Sequence, residues 1–309
     1  MRAGKPRTAA CGTQIGKHSL SVIRALVFGC LLALTACATQ NVPAASLAPR
    51  LVSATQRTPE ALAAVIDEAG AVAVTRADGS TRRLSKPGGV LLAVDAERVV
   101  WANACSGCTE AEAADQRGLF VYTAATDRSL RLLADALPRF NEVRLGAAGL
   151  AVLRPVAGQS NSGALWLFDL ETGESRLLSE QALLVSGAMQ APLAIDSGRV
   201  AWIDSPGTTH DLTLRVFELA QGDLLELPAT TLRDPQDLLV SAAAVAWREE
   251  LTWRGVSFDD GALWSAPAVP STLSAKTVTA IVAPTLEGDA LYWTLDTTEG
   301  PRSVVLTTP

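Results

Sequence analysis

The sequence holds one C-x-x-C motif, Cys105-Ser106-Gly107-Cys108. Such a pair can form a disulfide, act as a redox dithiol or supply two thiolates to a metal. A redox dithiol favours a helix at the motif, and nothing helical and apolar follows here. Haem attachment would need histidine where Thr109 stands, and two thiols are too few for a closed zinc site. The motif therefore predicts a small disulfide that staples its loop.

Catalysis or metal binding by several histidines is disfavoured, because the sequence contains only His18 and His210. A Ser-His-Asp arrangement or a multi-histidine metal site would have to be built around His210, in Thr208-Thr209-His210-Asp211. A solvated loop histidine is the simpler interpretation. The sequence therefore predicts no catalytic residue, no metal site and no cofactor.

Acidic residues follow or flank several strands that end in tryptophan, and arginines occupy comparable positions. Paired carboxylates could hydrolyse a glycoside or bind calcium, although no spacing matches a calcium loop. The sequence instead predicts a binding face. Its candidate residues are Asn103, Arg154, Asp204, His210, Arg248, Glu249, Trp253 and Asp296.

The elements that must position these residues form a repeat. A strand, a tight turn rich in Gly or Asp and a second strand recur at Val72, Leu119, Leu165, Leu214 and, more weakly, Leu263, with spacings of 46 to 49 residues. A second pair of strands lies between successive hairpins, and its later member commonly ends in tryptophan. These later members are Arg98–Trp101, Gly149–Leu153, Arg199–Trp202, Ala244–Trp247 and Ala290–Trp293.

Four strands in each period of this length predict an all-β fold, a β-propeller of four-stranded blades. Strands such as Leu165–Phe168 are apolar on both faces, so neighbouring sheets must cover both sides, and the recurring tryptophan is predicted to be packing. Six blades are preferred, with a strand near Leu51–Ala54 closing the last sheet; five blades are the alternative. A short helix is expected near 59–66.

Residues 165–178, Leu-Trp-Leu-Phe-Asp-Leu-Glu-Thr-Gly-Glu-Ser-Arg-Leu-Leu, with preceding strands that end in Ala-Trp, resemble the TolB-like propeller repeats of bacterial envelope proteins. The resemblance extends over about 70 to 309 and implies the propeller architecture. The Ser-Pro-Asp-Gly turn typical of those repeats is missing in every copy, so the resemblance implies little about function.

The connections are predicted to differ between the two ends of the sheets. The tight turns fall at one end, and the long loops 102–117, 154–163, 204–211 and 248–261 fall at the other. Binding residues are usually carried by loops on a rigid scaffold. The end with the long loops is therefore the predicted binding face.

The N-terminus reads as an export signal. A region with five basic and no acidic residues precedes an apolar run, Ala25–Ala36, that is too short to span a membrane. Leu34-Thr35-Ala36-Cys37 resembles the bacterial lipobox, which implies cleavage after Ala36 and lipidation of Cys37. The expected organisation is a signal peptide at 1–36, a flexible tether at 37–60 and the propeller at 61–309. Ala38, which is not aspartate, suggests the outer membrane.

Removal of residues 1–36 leaves 21 basic and 32 acidic residues, a net charge of −11. Such a chain repels phosphate backbones, so no nucleic-acid partner is expected. The sequence favours a non-catalytic envelope lipoprotein that binds a protein, peptide or glycan and contacts the membrane through its lipid. The alternative is a carboxylate-dependent hydrolase or lyase that acts on a cell-surface polymer or lactone.

Overall fold

The computed structural model describes residues 45–52, 62–76, 78–105, 108–134, 140–184, 192–196, 198–205, 212–228 and 230–308. The predicted signal peptide at 1–36, Cys37 and His210 lie outside these residues. Within them the chain is almost entirely β-strand. No helix in this part of the chain is both long and apolar enough to cross a membrane.

Among the described residues the strands form six antiparallel groups in chain order, each called a sheet below, and one pairing, of Ala182 with Asp204, joins the third to the fourth. Two short N-terminal strands come first, β1 (Ala45–Ser46) and β2 (Arg50–Val52). The first sheet comprises β3 (Ala63–Ile66), β4 (Val72–Thr75) and β5 (Thr81–Arg83). The second sheet comprises β6 (Gly89–Val94), β7 (Arg98–Asn103), β8 (Gly118–Thr123) and β9 (Arg128–Leu133), with helix α1 (Glu110–Gln116) between β7 and β8.

The later sheets repeat this plan. The third comprises β10 (Glu142–Gly146), β11 (Gly149–Pro155), β12 (Ser162–Phe168) and β13 (Ser175–Leu183). The fourth comprises β14 (Leu193–Ile195), β15 (Arg199–Asp204), β16 (Thr213–Glu218) and β17 (Asp223–Leu224). The fifth comprises β18 (Gln236–Val240), β19 (Ala244–Glu249), β20 (Thr252–Ser257) and β21 (Leu263–Pro267). The sixth comprises β22 (Val278–Glu287), β23 (Ala290–Thr297) and β24 (Arg302–Thr307), preceded by a 3-10 turn at Ala275–Thr277.

The sixth sheet is completed by the N-terminal strand β2. Arg50 lies opposite Val305 and Val52 lies opposite Ser303, so β2 is the fourth, antiparallel strand of that sheet. This confirms six blades closed by an N-terminal strand. Strand β1 adds to the outer edge of the fifth sheet, parallel to β21. Both strands lie inside the segment expected to be a tether.

The first sheet differs from expectation in one element. Residues 63–66, expected within a short helix, form β3, which suits the β-branched Val65 and Ile66. The Leu62 N–H donates to the Asp95 carbonyl in the β6–β7 turn at 2.9 Å. Strand β3 therefore starts beside the start of β7 and occupies the second-strand position of its own sheet.

The fifth sheet corrects the sequence repeat. The hairpin expected to begin at Leu263 as a third strand in fact begins with β20, and Leu263–Pro267 is the fourth strand. The long loop expected at 248–261 is absent from these described residues, because Glu250 and Leu251 alone join β19 to β20. Glu250 adopts a φ of 52°, a left-handed conformation that allows a turn of two residues. The repeat length is therefore not constant.

Apolar side chains fill the spaces between consecutive sheets. Val72 and Tyr122 share one cluster between the first and second sheets, and Trp253, Trp264 and Trp293 share another between the fifth and sixth. The second-strand tryptophans Trp101, Trp202, Trp247 and Trp293 are no more than 2% exposed. This confirms that the recurring tryptophan packs between sheets.

Two ends of the sheets can be distinguished by their connections. The turn face carries the turns from first to second and from third to fourth strands. Hydrogen bonds link neighbouring sheets there: Arg98 Nη1 donates to the Ala147 carbonyl at 3.0 Å, Arg199 Nη1 donates to the Ala242 carbonyl, and Ser241 Oγ donates to the Gly288 carbonyl at 2.6 Å. The loop face carries the connections from second to third strands: 67–71, 104–117, 156–161, 205–212, 250–251 and 298–301.

Candidate functional site

Several of the candidate residues gather at the loop face. Asn103, Asp204 and Glu249 are the last residues of β7, β15 and β19, and Arg154 and Asp296 are the last but one of β11 and β23. Each of these strands is the second in its sheet, so its C-terminal end lies at the loop face. Arg248 and Trp253 lie across from each other at the same end of the fifth sheet, so every described member of the predicted set lies at the loop-face end of its strand.

Asp204 is held inside the protein by three donors. Its Oδ1 accepts from Trp202 Nε1 at 2.7 Å and from Ser179 Oγ at 2.6 Å, and its Oδ2 accepts from Arg215 Nε at 3.3 Å. Ser179 lies on β13 of the third sheet, whereas Trp202 and Arg215 lie on the fourth. The carboxylate therefore ties two sheets together where Ala182 also pairs with Asp204.

Glu249 repeats this arrangement one sheet later. Its Oε1 accepts from Trp247 Nε1 at 3.2 Å and from the Arg233 N–H at 3.0 Å, and its Oε2 pairs with Arg254 Nε at 2.7 Å. The Glu249 side chain is only 8% exposed. Opposite charge and hydrogen bonds compensate the cost of burying it.

The sequence contains a signal for these two clusters in the residue types of two neighbouring strands. In both, a Trp-x-acid segment is followed by Thr-x-Arg, and the arginine lies directly across from the tryptophan. Trp202 pairs in register with Arg215 and Trp247 with Arg254. Cross-strand register places the guanidinium beside the acid.

Two other candidates are buried. Asn103 is 1% exposed, and its Oδ1 accepts the Cys105 N–H at 2.8 Å. Trp253 is 0% exposed, with its ring centroid 5.8 Å from that of Trp293. The side chain of Trp253, which was predicted for the binding face, thus packs in the cluster between the fifth and sixth sheets.

Arg248 belongs to a small polar corner of the fifth sheet. Its Nε donates to Asp237 Oδ2 at 2.5 Å and its Nη1 to the Glu250 carbonyl at 2.7 Å. Asp237 and Glu250 both have positive φ, 47° and 52°. The corner leaves Leu251 49% exposed at the tip of the turn.

The C-x-x-C motif opens the long connection 104–117. The Cα atoms of Cys105 and Cys108 are 5.5 Å apart and their sulfur atoms are in contact. This separation is compatible with a disulfide bond between them. Helix α1, a short polar helix, follows directly. Its polar sequence carries no apolar stripe, so helical periodicity did not reveal it.

Helix α1 begins with a reciprocal cap. The Glu112 N–H donates to Thr109 Oγ1 at 3.4 Å, and Glu112 Oε2 accepts the Thr109 N–H at 3.1 Å. Lys86 Nζ donates to Glu112 Oε1 at 2.9 Å. The hydrogen bond from Lys86, followed by that from the Thr109 backbone, lowers the pKa of Glu112 to about 2.

The described residues contain no group of three or more His, Cys, Asp or Glu side chains that could hold a metal ion. The two acids predicted for the binding face, Asp204 and Glu249, each face an indole N–H and an arginine. The loop face thus presents a rigid scaffold with partly exposed polar residues and the apolar Leu251.

No family model matches the chain, and no curated protein matches it. Among solved structures, a prolyl endopeptidase shares 15% identity over 93% of this chain, with a TM-score of 0.50; the chain spans only 45% of that protein. At this identity the likeness shows a shared propeller fold alone. An oligogalacturonate lyase with manganese (10% identity, TM-score 0.48, 80% of this chain and 74% of that one) and TolB from Acinetobacter baumannii (11%, 0.37, 80% and 63%) are weaker matches.

Proposed function

We propose that the protein is a lipid-anchored envelope propeller that binds a protein, peptide or glycan partner at its loop face and performs no catalysis. The observation that carries the proposal is that the carboxylates of Asp204 and Glu249 are both held by contacts with neighbouring side chains of the protein. A catalytic carboxylate must reach the proton or atom on which it acts. Asp204 instead accepts hydrogen bonds from Trp202 and Arg215, and Glu249 accepts one from Trp247 and forms an ion pair with Arg254.

The loop face suits recognition better than the turn face does. Connections 104–117, 156–161 and 205–212 come from three consecutive sheets, so their ends are held side by side on one scaffold. The turns on the opposite face are instead occupied by hydrogen bonds between neighbouring sheets, such as Ser241 to Gly288. Arg154 and the exposed Leu251 supply polar and apolar contacts around the loops.

The envelope location rests on the sequence. The basic and apolar N-terminal segment and the lipobox-like Leu34–Cys37 support lipidation of Cys37, and Ala38 supports the outer membrane. A disulfide between Cys105 and Cys108 fits an oxidising compartment. In a Cys37→Ser variant the protein should leave the membrane fraction and lose acyl labelling; retention of both would contradict the anchor.

The binding face can be tested by photo-crosslinking in cells. A photoreactive amino acid at position 251 on the loop face is compared with one at position 260, an exposed site on the turn face. The proposal expects a discrete crosslinked product from position 251 that an Arg154→Glu substitution weakens, and none from position 260. Equal products from both positions, or none from either, would overturn the assignment of the loop face.

A further inference from the structure

The two cysteines of the C-x-x-C motif differ in solvent exposure. Cys105 is 1% exposed at the end of the buried Asn103 turn, whereas Cys108 is partly exposed beside α1. We propose that Cys108 is a thiol-exchange site, at which a small-molecule thiol opens the disulfide and so loosens the first half of the 104–117 connection. The proposal rests on the Cys105–Cys108 disulfide and is independent of which partner binds the loop face.

Exposure determines which sulfur is attacked. A thiolate approaches a disulfide sulfur along the S–S axis, so it needs open space at that sulfur. An external thiolate therefore bonds to Cys108 Sγ, the bond between Cys105 and Cys108 breaks, and its electron pair leaves on Cys105 Sγ. The product is a mixed disulfide on Cys108 and a thiolate on Cys105. A second external thiolate that attacks the external sulfur of this mixed disulfide releases the small disulfide and leaves Cys108 reduced.

Cys105 is placed to reverse the first step. Its backbone is held by the hydrogen bond from its N–H to Asn103 Oδ1 at 2.8 Å, and its Cα remains near that of Cys108. A buried sulfur is also an unfavourable place for negative charge. Cys105 therefore re-attacks Cys108 Sγ and expels the external thiol, so the mixed disulfide persists only while that thiol is in excess.

Opening the disulfide affects the connection 104–117 unevenly, because other contacts hold its second half. Cys105 has a φ of 52°, unfavourable for a residue with a Cβ, and the Cys108 N–H donates to the Cys105 carbonyl at 3.2 Å. Opening the disulfide removes the covalent constraint on this turn. The second half of the connection keeps other ties: Lys86 to Glu112, and Arg117 Nε to the Ala104 carbonyl at 3.1 Å.

The first experiment maps thiol adducts on the full-length chain in mild detergent. Trypsin cleavage after Arg98 and Arg117 gives one peptide that contains Cys105 and Cys108 but none of the other cysteines. After brief treatment with 2-mercaptoethanol and trapping with iodoacetamide, fragmentation should place the mixed disulfide on Cys108 at least tenfold over Cys105. Equal adducts, an adduct mainly on Cys105, or no disulfide before treatment would overturn the proposal.

Matched variants separate accessibility from folding. With a neutral maleimide, Cys108 in the Cys105→Ser variant should be labelled at least tenfold faster than Cys105 in the Cys108→Ser variant. Unfolding in urea should make the two rates equal, since both thiols are then in water. Equal rates in the native state would contradict the burial difference on which the proposal depends.

Hydrogen exchange tests the effect on the loop. The amides of Cys105 and Cys108 should exchange at least tenfold faster after reduction, while those of β7 and β8 remain unchanged. A Lys86→Ala variant serves as the control, since it should loosen α1 equally in both redox states. Identical exchange of the Cys105 and Cys108 amides in oxidised and reduced protein would overturn the proposed coupling.

Discussion

The indole Nε1 of Trp247 donates a hydrogen bond to Oε1 of Glu249, two residues further along the same strand, at 3.2 Å. Residues two apart in a strand point to the same side of the sheet, so tryptophan and acid meet there. Trp202 and Asp204 make the same contact at 2.7 Å in the preceding sheet. The pair is thus a repeated structural device that positions an acid at the loop-face end of a second strand.

Replacing Glu249 with glutamine should destabilise the fold. The change removes the ion pair between Arg254 and Oε2, and it puts an amide nitrogen in place of one of two buried oxygens whose neighbours all carry N–H groups. We expect a loss of about 2 kcal/mol in the free energy of unfolding, because the donors keep their desolvation cost. Urea unfolding, monitored by tryptophan fluorescence, measures this loss in the free energy of unfolding.

The control is Glu250→Gln, one residue later in the exposed turn, where the backbone at position 250 has the same positive φ in both proteins. It should change stability by no more than about 0.5 kcal/mol. Equal effects at 249 and 250 would show that the buried hydrogen bonds do not stabilise the fold.

Gly255 has no room for a side chain. A Cβ there would lie 2.1 Å from Cζ2 of the Trp264 ring and 2.7 Å from the Val245 carbonyl oxygen. Gly255→Ala should lower stability by about 3 kcal/mol or more, since it forces the tryptophan out of the packing between the fifth and sixth sheets. Thermal unfolding should show a lower Tm.

Gly198→Ala provides the matched comparison, because a Cβ at position 198 meets nothing within 4 Å and the residue has no positive φ. Its Tm should stay near that of the natural sequence. A Gly255→Ala protein with an unchanged Tm would contradict the observed packing of Trp264 over this residue.

The N-terminal strand should be needed to close the sixth sheet. A chain beginning at Pro43 retains β1 and β2, whereas one beginning at Ser53 leaves the edge of β24 unpaired. We expect the shorter chain to unfold at lower temperature, by about 2 to 4 °C for each kcal/mol lost, and to self-associate through the open edge. Calorimetry and sedimentation compare the two; equal Tm values would argue against closure by β2.

The pH dependence of helix α1 follows from Glu112. Its pKa is lowered from 4.5 to about 2, chiefly by the Lys86 hydrogen bond, so the ionised form is favoured in the folded protein. A lowered pKa contributes stability that is complete above pH 4.5 and is lost as the pH falls toward 2. The protection factors of the amides of residues 110–116, which compare each exchange rate with the intrinsic rate at the same pH, should therefore fall over that window.

A Glu112→Gln variant should exchange faster at neutral pH and lose the pH response between 4.5 and 2. The rest of the second sheet is the internal reference in both proteins. A Glu112 carboxyl that titrates near 4.5 by NMR would contradict the contact with Lys86.

Local patterns were enough to predict most of the architecture. The hairpins beginning at Val72, Leu119, Leu165 and Leu214, and the second strands ending near Trp101, Trp202 and Trp247, could be recognised because alternation and turn residues are properties of neighbours in sequence. The pattern was wrong where a connection shrank: with only Glu250 and Leu251 joining β19 to β20, the apparent repeat at Leu263 marked a fourth strand.

The sequence by itself therefore determined most strands and their grouping in fours. It also indicated that an N-terminal strand closes the last sheet. Each of these depends on spacing along the backbone. Tertiary structure decided the fate of the candidate residues. Trp253 entered the packing between two sheets, and Asp204 gained Ser179 from a neighbouring sheet. Such partners are set by register and by contact between sheets, which bring together residues far apart in sequence.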